Sequence, residues 1–282
     1  MIHLSDTLIL LRGGGDIATG VAHRLHAAGF TVMVLELAQP LCVRRAVSFA
    51  EAVYTGHVTV EGVTARLAPD AMMGMAYAVM GEVPVVVDER GVSISQLTPP
   101  IVVDARLAKH RLDTQITHAR LVLGLGPGFT TGVDCHAVIE TNRGHNLGRV
   151  YWSGGAEADT GVPEPVGGLA GQRVLRAPRD GLFRARMAIG DAVKAGDVLA
   201  LVNGEPLLAQ FDGVLRGILH DGLTVTAGLK VGDLDPRGER ARCFTISDKA
   251  RAVGGGVLEA IFAGMRYWRK ELPPEIRDRG LP

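Results

Sequence analysis

The sequence predicts an α/β fold: an N-terminal parallel-sheet domain, then a β-rich domain and a C-terminal helix. Three observations carry this. Leu8 to Glu36, LILLRGGGDIATGVAHRLHAAGFTVMVLE, reads as strand, glycine loop, helix and strand. Two further apolar runs, VPVVVDE and PPIVVDARLAK, have the composition of buried strands. A later stretch repeats short strands and glycine turns at a fixed spacing.

Leu8–Leu11 is an uninterrupted apolar run, as in a strand of a parallel sheet buried on both faces. Gly13, Gly14 and Gly15 follow. Val21, Leu25 and Ala28 then recur at helical spacing until Gly29 stops the helix, and FTVMVLE forms the second strand. Gly13, Gly15 and Ala18 fit G-x-G-x-x-A. Glu36 stands roughly 20 residues on, where an acid binds a ribose 2′-hydroxyl. This order describes a Rossmann-like unit. Its glycines let the backbone turn tightly and approach a pyrophosphate, while the helix start offers N–H groups and a positive dipole end. Asp16 sits where phosphate oxygens approach; it either repels them or caps the helix. Arg44 and Arg45 either reach a 2′-phosphate or another anion, or face solvent at the start of a helix, and Glu36 argues against a 2′-phosphate.

Met72, Met73, Met75 and Met80 have near-helical spacing and read as core filling rather than a sulfur site. The two apolar strands end at Asp88 and Asp104. Ligands of parallel sheets collect outside such carboxyl ends. Arg106 and Lys109 add positive charge there, or form surface salt bridges.

The central stretch ARLVLGLGPGFTTGVDCHAVIETNRGHNLGRVYWSGGA begins with a strand at Leu121–Leu123. Gly124, Gly126 and Gly128 then make a second glycine-rich loop, which is not a Walker A loop because no Lys-Ser/Thr follows. HAVIET and LGRVYW read as a hairpin around NRGHN. Alternation along a strand would put Asp134, His136 and Glu140 on one face. With Arg143 and His145 they form a candidate acid/base or anion-binding cluster, and Cys135 faces the other way.

Asp180-Gly181, Arg184, Gly190 and Ala195-Gly196 recur as Asp212-Gly213, Arg216, Gly222 and Ala227-Gly228, a constant offset of 32 residues. Two related halves imply a pseudo-symmetric β-structure. The stretch resembles a biotinyl/lipoyl-type barrel-sandwich-hybrid domain. In carriers of that type a lysine sits on the hairpin between the halves. Here that hairpin is VNGEP, and Lys194 lies in the GDAVKAG turn, which argues against covalent biotin or lipoate and for a rigid structural or docking module. ISDKARAVGGGVLEAIFAGMRYW then reads as a helix whose glycines permit close packing, against the first domain or another subunit. The resulting division is 1–118 nucleotide-binding, 119–165 glycine loop and hairpin, 166–240 repeat, and 241–282 helix and tail.

The 282 residues include 37 glycines, with 30 acidic and 30 basic side chains in balance. That balance gives no bulk field for nucleic acid or an anionic membrane. No apolar run nears the roughly 20 residues of a membrane span, and no basic segment precedes the first apolar stretch. Cys42, Cys135 and Cys243 form neither a disulfide framework nor a zinc pattern, so a cytoplasmic protein without a metal site is expected.

RGGGDIATGVAHRLHAAGF, RRAVSFAEAVY, VVDARLAK, GLGPGFTTGVDCHAVIETNRGHNLGRV and DTGVPEP together resemble the YqeB type of selenium-dependent molybdenum hydroxylase accessory proteins, across nearly the whole chain. The resemblance implies a maturation role, with a molybdenum hydroxylase or its cofactor-insertion machinery as partner, and it brings no established catalytic residues. On this reading a nucleotide, or the molybdopterin dinucleotide, sits at Gly13–Ala18. His136, Glu140, Arg143 and His145 approach its reactive part, and Cys135 carries selenium or sulfur if it is exposed in an electropositive setting. An NAD-dependent oxidoreductase and a non-catalytic docking scaffold are the alternatives, and a homo-oligomer is expected. The residues do not decide whether a chemical step occurs.

Overall fold

The computed structural model describes residues 4–159, 168–169 and 171–268. The DTGVPEP motif past Asp159 and the RKELPPEIRDRGLP tail lie outside the described residues. The chain opens with β1 (Leu8–Arg12), α1 (Asp16–Ala27) and β2 (Thr31–Glu36). There follow α2 (Ala52–Thr55), β3 (His57–Val60), β4 (Val63–Ala68), α3 (Ala71–Val79), β5 (Val83–Val87), α4 (Val92–Leu97) and β6 (Ile101–Asp104). With β7 (Leu121–Leu125), β8 (Ala137–Ile139) and β9 (Val150–Tyr151) they build a nine-stranded sheet of order β3-β4-β5-β2-β1-β6-β7-β8-β9.

This sheet is mixed, which corrects the expected Rossmann-like parallel-sheet domain. The run from β4 to β8 is parallel, but the edge strands β3 and β9 are antiparallel to their neighbours. The cause at one edge is chain length. Only Glu61 and Gly62 join β3 to β4, both at positive φ (45° and 85°). Two residues make a hairpin and cannot supply the crossover that a parallel pair needs. At the other edge, β8 and β9 pair as a hairpin whose loop, from Glu140 to Arg149, is longer than NRGHN.

Next come β10 (Val174–Arg176), β11 (Gly181–Ala185), β12 (Ala192–Val193), β13 (Val198–Val202), β14 (Glu205–Leu208), β15 (Gly213–Ile218), β16 (Thr224–Val225) and β17 (Lys230–Asp235). They form two four-stranded antiparallel sheets, β10-β17-β15-β12 and β14-β13-β11-β16, around one apolar core. The expected barrel-sandwich hybrid is corrected as well, because no barrel is closed among the described residues. No ladder joins the two edges of either sheet, and the edge strands β12 and β16 have only two residues each to offer one. The repeat itself is exact in its bonding. Gly190 N–H donates to the Leu215 carbonyl (2.8 Å), and 32 residues on Gly222 N–H donates back to Phe183 (2.9 Å). Asp212 likewise accepts from Ala195 N–H, and Asp180 from Ala227 N–H.

Helix α5 (Asp248–Trp268) returns to the large sheet. Alternate residues of β1 face opposite ways. Ile9 and Leu11 join a core with Val21 and Leu25 of α1 and Val253 and Val257 of α5, while Leu8 and Leu10 join one with Met33, Val86 and Ile94 of α4. α1 and α5 touch through glycine: a Cβ on Gly20 would lie 2.6 Å from that of Ala250, and one on Gly254 would lie 3.0 Å from the Gly20 carbonyl oxygen. Of the four methionines read as core, Met75 packs against the core beneath α3, and the other three do not. Met72, Met73 and Met80 are exposed, because α3 turns only Ala71 and Gly74 fully inward, Gly74 against Met33 and Pro84. No helix among the described residues is long and apolar enough to cross a membrane.

Candidate functional site

A crevice of about 640 Å³ opens at the carboxyl ends of β1, β2 and β6. There the chain leaves β1 for β2 on one side, while β6 pairs on the other, the point where open α/β sheets collect ligands. Gly13, Gly15, Asp16 and Ala18 line it together with Glu36, Arg12, Cys42, Arg90, Arg106 and Asp113.

The three glycines differ in what the protein asks of them. Gly13 has φ +96°, and a Cβ there would press on Ala105 and Arg106. A Cβ on Gly14 would come within 2.9 Å of the Ala50 nitrogen. Gly15 has an ordinary φ of −63°, and the sole neighbour of its Cβ position is the Cys42 Sγ at 3.9 Å, normal contact. Packing therefore explains Gly13 and Gly14 but leaves open room at Gly15.

Glu36 accepts hydrogen bonds from Gly14 N–H and Leu37 N–H, both at 2.7 Å. Burial raises its pKa, and those bonds only partly offset the rise. Its carboxylate thus holds the glycine loop. Arg44 pairs with Asp16 (3.2 Å) and donates to the carbonyls of Arg242 and Thr245. Arg45 donates to the Ile218 carbonyl and to Glu51. Neither arginine lines the crevice. Arg44 fastens the β2-side lip of the crevice to the segment between β17 and α5 and Arg45 fastens it to β15, and Arg44 offsets the Asp16 charge at the start of α1.

The floor is a charge network of which the sequence marks only Asp104 and Arg106. Asp104 is fully buried and accepts from Arg106 and from the Thr114 hydroxyl. Arg12, also buried, donates to both oxygens of Asp113 (3.0 and 2.8 Å) and to Thr114, and Arg106 reaches Asp113 as well. Burial alone would raise the Asp113 carboxyl, but the bonds and charges of both arginines hold it well below the usual carboxylate range. The signal for Arg12 was present: it is a charged residue ending an otherwise apolar strand.

The central cluster lies elsewhere. None of Cys135, His136, Glu140, Arg143 and His145 lines the crevice. Strand β8 starts only at Ala137, so the alternation argument does not reach Asp134 or His136. Glu140 is fully buried and accepts from the backbone N–H groups of Asn142 and Glu157. His136 Nδ1 accepts from Val122 N–H (2.9 Å), and burial lowers its pKa. Arg143 pairs with Asp248 at the start of α5, and His145 is exposed. The Cys135 thiol is buried and, by burial and then by Asp134, pushed up to about 12, a setting that disfavours a thiolate carrier. Gly124, Gly126 and Gly128 also stay out of the crevice; they make room for Phe129, Thr141 and the Ala108 carbonyl. Lys109 pairs with Asp159, and Lys194 with Asp212. Asp88 caps α4, accepting from Val92 and Ser93 N–H.

Cys42 is the thiol that does meet the crevice. Burial, then the charges of Glu36, Asp16 and Glu51, push it well above the ordinary thiol range. Among the described residues no group of three His, Cys, Asp or Glu side chains is placed to hold a metal ion.

No protein-family profile matches the chain. It is 52% identical over 254 residues to the uncharacterized protein YqeB of Escherichia coli K12; the match covers 90% of this chain and 47% of YqeB. The chain thus spans about half the length of that relative. Among solved structures it is similar to an aspartoacylase family protein of Mesorhizobium loti (12% identity, TM-score 0.24). It is also similar to a succinylglutamate desuccinylase/aspartoacylase of Rhodobacter sphaeroides (14%, TM-score 0.25). Each match covers 81% of this chain and 84% of the other.

Proposed function

The chain is a relative of the YqeB family, spanning about half of its Escherichia coli member, and from that premise we propose that it serves molybdenum hydroxylase maturation by holding a dinucleotide, the molybdopterin dinucleotide, in the β1–β6 crevice. The observation that carries this reading is Gly15: the protein's own packing leaves room for a side chain there, at the start of a helix that faces the crevice. A pyrophosphate is the group that uses both the close approach and the N–H donors of a helix start. Of the two carboxylates beside that place, Arg44 offsets Asp16, and Glu36 is held by the N–H groups of Gly14 and Leu37. The selenium and molybdenum setting comes from the sequence resemblance. The chemistry assigned to this chain's residues is binding and orientation.

Calorimetric titration with NAD, NADP, ATP, CTP and molybdopterin cytosine dinucleotide tests it. The pterin dinucleotide is expected to bind one to one and more tightly than the others. Selective binding of NAD would replace the maturation reading with a redox one. Binding of none would leave a docking scaffold.

A further inference from the structure

The crevice is lined by three guanidinium groups, Arg12, Arg90 and Arg106. Two are spent. Arg12 is taken by Asp113, and Arg106 by Asp104 and Asp113. Arg44, a cation at the start of α1, is taken by Asp16. Arg90 is exposed and carries none of the ion pairs seen among the described residues.

Its position is fixed by its neighbours. Asp88 clamps the loop between β5 and α4 through Val92 and Ser93 N–H, and Gly91 (φ +71°) turns the chain where a Cβ would lie 3.4 Å from Arg12 Nη2. α1 packs on one face of the sheet and α4 on the other. Gly15 and Arg90 therefore meet the crevice from opposite faces. We infer that Arg90 is the positioning residue that grips the phosphate of the crevice ligand from the wall facing the glycine loop; this rests on the dinucleotide reading above. Asp88 is occupied in capping, and Glu89, the other acid of the loop and itself on the crevice wall, forms no ion pair with Arg90 among the described residues, so the guanidinium donors of Arg90 are left for a ligand.

The test compares wild type, Arg90→Gln and Arg90→Lys in titrations with molybdopterin cytosine dinucleotide and with cytidine, at several salt concentrations. A charge-assisted contact predicts that Arg90→Gln weakens the dinucleotide roughly ten-fold and flattens its salt dependence. Arg90→Lys should recover part of the loss, and weak cytidine binding should not change. Unchanged dinucleotide affinity in Arg90→Gln would overturn the assignment of Arg90 and leave the crevice reading intact. Equal weakening of both probes would also overturn it, since a phosphate grip cannot act on cytidine. Failure of wild type to bind the dinucleotide would overturn both readings.

Discussion

Asp104→Ala is expected to destabilise the protein by about 3 kcal/mol, the lower end of what removing one partner of a buried ion pair costs. The lower end applies because Arg106 is a quarter exposed and keeps Asp113. The loss reaches further than one pair. Thr114 loses its acceptor, and it is also the point where Arg12 and Arg106 converge. Arg12 is almost wholly buried and would hold its charge with less of the network around it. Denaturant unfolding of the variant measures the effect. Lys194→Ala, which breaks the exposed Lys194–Asp212 pair, is the control and should leave the midpoint unchanged. If the two variants behaved alike, the network would be a surface feature and not the floor of the crevice.

Adjacent glycines of α5 should respond with opposite signs. A Cβ on Gly256 would lie 2.1 Å from the Gly148 carbonyl oxygen and 3.0 Å from Ile139 Cγ2. A backbone carbonyl cannot swing aside, so Gly256→Ala must move the helix off the sheet. Overpacking of this kind costs about 1–3 kcal/mol, and the upper figure fits a clash with main chain. The helix-propensity gain of about 1 kcal/mol offsets part of it. At Gly255 the nearest atom is Arg24 Nη1 at 3.4 Å, the tip of a flexible side chain. There the propensity gain stands nearly alone, and Gly255→Ala should stabilise by about 0.5–1 kcal/mol. Thermal unfolding of both variants checks the sign; stabilisation by Gly256→Ala would mean that α5 does not seat here.

These cases mark what the sequence carries and what it does not. The opening unit was legible because strand, glycines, helix and Glu36 are local in the chain and each follows from backbone conformation or periodicity. The 32-residue repeat was legible for the same reason, and its bonding matches it, although its sheets stay open. Apolar runs alone imply an all-parallel sheet, whereas the two-residue turn at Glu61-Gly62 decides the direction of β3. The central cluster failed on sheet order. β6 and β7 stand between β1 and β8, which at the usual strand spacing separates their ends by roughly 14 Å. Nothing local in HAVIET encodes that. Arg44 read as a cation in search of an anion, but its partners are Asp16 and two carbonyls about 200 residues further on. Met72 and Met80 read as core because composition does not say which side of a helix lacks a neighbour.

The most direct measurement of the central claim is the affinity of Gly15→Ala for molybdopterin cytosine dinucleotide, set beside its melting temperature. Gly15 is the N-cap of α1 in extended backbone (φ −63°, ψ 179°), which alanine also adopts, and it has open space for a Cβ. An unchanged or slightly lower melting temperature is expected, because alanine caps a helix less well than glycine, together with a loss of binding of at least roughly ten-fold, since the added methyl occupies the approach of the pyrophosphate. Wild-type affinity in a stably folded Gly15→Ala protein would contradict it: the open space at Gly15 would then belong to no ligand.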